Sequence, residues 1–271
     1  MARLHALNFY PVKSCKGIAV ESATVTPMGF PHDREWMVVD MSYRFLTQRE
    51  EPRLALITPQ VQGATLTLDA PERATLTVPA DANARSVETV VWRDRCAAFD
   101  CGEEPARWLS EFLGRAVRLV RFDQRGRRAS STDWTGDTEA LNQFSDGFPW
   151  LVISQPSLDD LNLRLPEPLP MNRFRPNIVL ADVPAYAEDR IHELVIGSVR
   201  LRLVKPCTRC AITTTDQSTG ERRSDQPLRT LKQYRFDKEL RGVLFGQNAI
   251  LIAGAGEQVR TGENAQIVWK S

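Results

Sequence analysis

Histidine, lysine and cysteine are scarce in this chain of 271 residues, and each scarcity excludes something. The three histidines (His5, His32, His192) lie far apart, so no histidine-rich metal cage is written into the sequence. Five cysteines (Cys15, Cys96, Cys101, Cys207, Cys210) do not make the disulfide framework of a small secreted scaffold. A reducing, cytoplasmic setting is the expectation. No run approaches the roughly 18 apolar residues of a membrane span, so no membrane partner is expected. The opening residues MARLHALN lack the apolar core and cleavage site of a signal peptide. A formal charge of +1 gives no general pull toward nucleic acid or anionic lipid. Lysine occupies only six positions, so 29 of the 35 basic residues are arginine, whose planar fork suits phosphates and carboxylates.

What is present is ordinary globular composition with many short apolar runs. Through the first 122 residues, Leu4, Ala6, Asn8 and Tyr10 alternate with His5, Leu7 and Phe9. Further strand-like runs follow at 18–20, 35–39, 54–57, 64–68, 74–78, 87–92 and 116–122. Between the last two, 103–114 is predicted helical, with Trp108, Leu109, Phe112 and Leu113 in one stripe before a glycine stop. Residues 123–137 form a polar connection whose Arg125, Arg127 and Arg128 suit either a phosphate or plain solvation. Beyond it the pattern predicts strands at 149–153, 177–180, 193–196, 198–204, 243–245, 249–252 and 266–269. It also predicts a helix capped by Ser157 and another over 228–234. The fold class expected is α+β, mostly β, in two lobes: an N-terminal β-barrel-like domain over 1–122 and a second β-barrel domain over 123–271, with a few helices.

Chemistry concentrates at Lys205-Pro206-Cys207-Thr208-Arg209-Cys210. Two thiols at CxxC spacing sit beside two cations, and neighbouring cations favour the thiolate that attacks and binds metal. A structural zinc site would need a second ligand pair, which the sequence does not supply. A thioredoxin-type pair would need a following helix, whereas Ile212-Thr213-Thr214-Thr215 predicts an extended segment. Inert buried cysteines are a third possibility. Elsewhere, the turn Pro11–Gly17 offers Lys13 and Ser14, Arg34 precedes an apolar strand, and Arg175 and Asn177 flank Pro176. Together these groups suit an anionic ligand with a metal at one end.

Taken in order, Tyr10-Pro11-Val12-Lys13-Ser14, Asp33-Arg34, Phe174-Arg175-Pro176-Asn177, the KPCTRC hexapeptide and Leu244-Phe245-Gly246-Gln247-Asn248 resemble the MOSC family. The resemblance is to its branch with an N-terminal MOSC β-barrel domain, of the YcbX-like and amidoxime-reducing-component-like kind. It implies a molybdenum–molybdopterin cofactor (Moco) between the lobes, with Cys210 as metal ligand and catalytic centre and Cys207 as a neighbour. By the same resemblance Lys13, Ser14, Arg34, Arg175 and Asn177 contact the pterin and its phosphate. Thr208 and Arg209 flank the ligand, and Ser154 joins the shell. A pyridoxal phosphate-like binding description also travels with the family. The implied reaction is two-electron reduction of a small N-hydroxylated substrate, N–O to N–H plus water. YcbX-type chains often carry a ferredoxin-like domain, yet no cysteine follows Cys210 here. The expected electron source is therefore a separate ferredoxin-, flavin- or cytochrome-type reductase. The alternative function is a molybdenum cofactor-binding or sulfur-carrier protein using a Cys210 persulfide. A purely structural barrel is the remaining reading.

Overall fold

The computed structural model of the chain describes residues 1–78 and 85–270. Seven strands close a barrel in the order Trp150–Ser154, Ile178–Ala181, Ala2–Phe9, Asn264–Trp269, Ile191–Ile196, Val199–Arg209 and Gly242–Ala253, the last returning to Trp150–Ser154. An odd ring cannot be antiparallel throughout. The single parallel pair is Trp150–Ser154 with Ile178–Ala181. A parallel pair needs a crossover rather than a hairpin, and the connection here carries the helix Gln155–Leu163. Leu4, Leu7, Trp150, Val152, Leu194, Leu201 and Ala249 fill the barrel interior. Each such aliphatic side chain contributes about 1.5–3 kcal/mol on burial. Closure depends on Gly246 (φ +83°), where an added Cβ would stand 2.6 Å from Ile153 Cγ1 and 2.9 Å from Val152 O.

The second lobe holds a four-stranded antiparallel sheet, Trp36–Val39, Arg118–Phe122, Asp94–Asp100 and Arg85–Val91, and a three-stranded one, Thr58–Gln62, Thr65–Asp69 and Leu76–Val78. The helix Glu103–Leu113 buries Trp108, Leu109, Phe112 and Leu113 against them and stops at left-handed Gly114. The fold is thus mostly β in two lobes, with a few helices, as expected. In space, the strands Ala2–Phe9 and Ser22–Thr24 pair with strands from the C-terminal part of the chain.

Four local expectations are corrected. Residues 54–57 do not form a strand: Pro52 opens a 3-10 turn over Pro52–Leu56, because its fixed φ suits a first helical position. Ser154, not Ser157, caps the helix Gln155–Leu163, accepting a bond from Ser157 N at 3.3 Å. The runs 243–245 and 249–252 are one strand, Gly242–Ala253, since Gln247 and Asn248 lie in ladder register with Pro206 and Lys205. After Cys210 the chain turns into a 3-10 helix, Ala211–Thr214, instead of staying extended. There Thr213 and Thr214 hydroxyls donate to the carbonyls of Cys210 and Ala211, a local bond that offsets β-branched preference.

Candidate functional site

The strand Val199–Arg209 runs straight through the CxxC sequence and ends at Cys210. It delivers Thr208, Arg209 and Cys210 to a cleft of about 750 Å³ that opens to solvent. Lys13, Ser14, Arg34, Arg175 and Asn177 line the same cleft. Segments more than a hundred residues apart in sequence therefore converge on one place. Ser154 does not line it. That side chain is fully buried, hydrogen-bonded to Ser157 Oγ at 2.6 Å, and its backbone N–H donates to Glu188.

The local backbone explains how these side chains reach the cleft. Lys13 N–H donates to Trp36 O at 2.8 Å, and Arg34 N–H donates to Tyr10 O at 2.7 Å, tying the two loops together. Ser14 (φ +68°), Arg34 (φ +53°) and Arg175 (φ +59°) all adopt the left-handed region. Non-glycine residues held there carry backbone strain of order 1–3 kcal/mol each, and such strain clusters at functional sites. Arg34 and Arg175 each place a guanidinium 4.3 Å from the centroid of the Tyr10 ring. Gly17 packs against that ring, leaving no room for a side chain: a Cβ would lie 2.4 Å from Tyr10 Cε1. Asn177 is spent on structure. Its Oδ1 accepts from Arg34 at 3.1 Å and Leu151 N at 3.2 Å, and its amide donates to Asn8 O.

Four cations (Lys13, Arg34, Arg175, Arg209) line the cleft against one carboxylate, Asp146. Burial lowers the Lys13 ammonium below its ordinary value against the pull of Asp146. Burial likewise brings Arg175 down to about 10, because among the described residues its guanidinium pairs with no carboxylate and donates only to Cys15 O. The Asp146 side chain is exposed, and Lys13, with a smaller contribution from Arg49, holds its carboxyl well below the usual carboxylate range. Two buried donors, Trp150 Nε1 and Arg209 Nε, belong to cleft-lining residues and have no partner among the described residues. Such groups cost free energy unless a ligand or water satisfies them.

Four residues that sequence reasoning missed, Arg49, Arg222, Gln48 and Gln217, complete the surroundings of the thiol. Arg49, from the N-terminal lobe, donates to Cys210 Sγ at 3.1 Å. It stacks 4.5 Å from the Trp92 ring centroid and stands 3.8 Å from Asp146 Oδ2. Arg222 donates to the carbonyls of Gln48 and Arg49, and Gln48 and Gln217 exchange amide bonds of 3.0 and 3.1 Å. The lobes are thus pinned beside Cys210. Arg128 is also put to use, though not on a phosphate: buried, it donates to Asn142 Oδ1 and to the carbonyls of Gln143 and Ser145, shaping the loop that presents Asp146. Arg125 and Arg127 pair with Asp123 and Glu139 on the surface. Cys207 accepts from Arg209 at 3.0 Å and packs on an apolar cluster. Among the described residues no three His, Cys, Asp or Glu side chains converge on a metal position, so Cys210 has no protein co-ligands for zinc.

The interlobe cleft of this two-lobed β protein joins two thiols, Cys207 and Cys210, to four cations, a set of groups suited to an anionic ligand with a soft centre. Residues 1–116 match the MOSC N-terminal beta barrel domain, and residues 140–266 match the MOSC domain. The chain belongs to the MOSC family, in the branch that carries this N-terminal barrel. It is 39% identical to mitochondrial amidoxime-reducing component 1 of Mus musculus over 250 residues, covering 89% of this chain and 74% of that one. Against component 1 of Homo sapiens the identity is 39% over 260 residues, covering 90% and 77%. Against human component 2 it is 38% over 244 residues, covering 85% and 71%.

Proposed function

We propose that the chain is a molybdenum cofactor-dependent reductase of N-hydroxylated compounds, supplied with electrons by a separate protein. The observation that supports this most is convergence: eight of the nine residues expected at the cofactor meet in one cleft, with the Cys210 thiol among four cations. The names of the relatives, amidoxime-reducing components, favour the same chemistry.

The residues present fit the group. Cys210 Sγ offers a soft donor of the kind molybdenum accepts. Lys13, Arg34, Arg175 and Arg209 supply charge-assisted donors for a phosphate. Arg209 Nε and Trp150 Nε1 are donors without a partner among the described residues. When bound, the cofactor supplies the two-electron redox chemistry, and the overall balance is R–NH–OH + 2 e⁻ + 2 H⁺ → R–NH₂ + H₂O. The chain itself binds and orients. Arg49 offsets negative charge on Cys210 Sγ, Asn177 fixes the side chain of Arg34, and Tyr10 holds Arg34 and Arg175 in place. Phe148, Trp150 and Phe174 give the cleft apolar walls that limit water.

The test is metal and pterin analysis of protein from a molybdenum-replete host, with an aryl amidoxime and an artificial electron donor as the activity assay. Wild type is expected to hold molybdenum and pterin in equal amounts. Cys210→Ala is expected to lose the metal while keeping its circular dichroism and melting temperature. A metal-free wild type carrying a labile extra sulfur on Cys210 by mass spectrometry would replace the reductase with a sulfur carrier.

A further inference from the structure

Arg175 lines two cavities. Besides the cleft, it borders a second space of about 380 Å³ that opens to solvent beside the strand Ala2–Phe9. Tyr10 lines this second space and not the first, and Cys210 is absent from its walls. Lys16, His5 and Asn172 add donors, and no aspartate or glutamate contributes to the lining. Met171, Val179 and neighbouring alanines make the remaining wall apolar.

We propose that this second cavity binds a small organic oxyanion, a phosphate monoester or a carboxylate, with its head group between Lys16 and Arg175 and its apolar body against Met171 and Val179. Three observations carry it. Arg175 is nine-tenths buried, and among the described residues it has no carboxylate partner and one hydrogen bond, to Cys15 O. A buried cation without a counter-charge is costly and calls for an anion. Lys16 is only half-buried, so it stays available to a ligand, and its side chain has no ion pair or hydrogen bond among the described residues. Finally, the size and mixed lining match a small-molecule pocket, in which a few polar groups orient an apolar body. The two sites share Arg175, whose guanidinium uses one N–H group on Cys15 O and keeps others for an anion on either side; a filled cleft lowers the affinity of the second cavity, where Lys16 still supplies charge.

Isothermal titration of the full chain as purified, with phenyl phosphate as probe and phenol as neutral control, tests this. Wild type is expected to bind phenyl phosphate and not phenol. Lys16→Glu replaces attraction by repulsion and is expected to weaken binding at least about tenfold, the loss of one charge-assisted contact. Lys16→Gln falls between, with melting temperature and molybdenum content unchanged in both variants. Lys13→Met, at a side chain that lines the cleft and donates to Phe144 O and Asp146 away from the second cavity, is expected to leave phenyl phosphate binding intact. No heat in wild type overturns the proposal, as does binding abolished by Lys13→Met but indifferent to Lys16→Glu, which would assign the probe to the cleft. Molybdenum measured in the same wild-type sample reports on the reductase reading separately.

Discussion

Replacing Arg49 with leucine removes the contact by which the N-terminal lobe touches the thiol. The guanidinium donates to Cys210 Sγ at 3.1 Å, and a hydrogen bond to a charged partner contributes about 1.5–3 kcal/mol. Its stacking on Trp92 at 4.5 Å adds about 0.5–1 kcal/mol at a partly exposed site. The ion pair with Asp146 is 3.8 Å long and its carboxylate is 56% exposed, so solvent screening leaves it little weight. The backbone stays anchored, because Arg222 grips the Arg49 carbonyl rather than its side chain. The variant therefore keeps its fold, with a melting temperature lowered by roughly 4–16 °C, the product of a loss of about 2–4 kcal/mol and about 2–4 °C per kcal/mol for a chain of this size. Metal retention falls much more. Outer partners of a metal ligand typically govern about 10–100-fold in affinity. The assay is molybdenum per chain after extensive dialysis, beside the melting curve, with Arg49→Lys as the variant that keeps the charge and loses the fork. Wild-type molybdenum content in Arg49→Leu would refute the reasoning and leave the N-terminal lobe as a mere cover.

Other outcomes follow from the same geometry. Arg175→Leu is expected to lower cofactor retention through loss of one charge-assisted contact, about 1.5–3 kcal/mol, read as pterin content. Gly17→Ala drives a methyl into the Tyr10 ring, which Arg34 and Arg175 keep from moving. Denaturant melts should show a loss of about 1–3 kcal/mol, as for other overpacked sites. Cys207→Ala is expected to keep molybdenum, in contrast to Cys210→Ala, because Cys207 accepts from Arg209 and packs on an apolar cluster. Hydrogen bonds from Ser218, together with Arg173, hold the Asp216 carboxyl down to about 2. A depressed carboxyl contributes stability above its unfolded value that is lost as pH falls through its folded one. Asp216→Asn should therefore flatten the acid-side loss of stability between pH 3.8 and about 2, measured by urea melts at a series of pH values.

Local sequence pattern made much of this architecture legible. The helix Leu228–Tyr234 and the stripe of Trp108, Leu109, Phe112 and Leu113 follow from periodicity and a glycine stop. The candidate cations were readable because they stand at strand ends and turns in short ordered motifs, whereas a cleft between the lobes was implied only by the family resemblance. Arg49 and Asp146 were not, since what gives them meaning lies far along the chain: Cys210 for one and Lys13 for the other. Ser154 misled for a related reason. A serine at a strand end reads equally as ligand or helix cap, and only the buried Glu188 beside Ser157 decides between them. Likewise, nothing in residues 2–9 announces that their hydrogen-bonding neighbours are 178–181 and 264–265.

That last pairing sets a timetable for the molecule's birth on the ribosome. The stave that Ala2–Phe9 contributes leaves the ribosome hundreds of residues before one of its flanking staves, Asn264–Trp269. Until then the early stave keeps an open edge, and edges of that kind invite mispairing. The hoop is drawn tight only once that later stave has emerged, and a polypeptide severed into two pieces between them would leave each piece with a gap that only the other can fill.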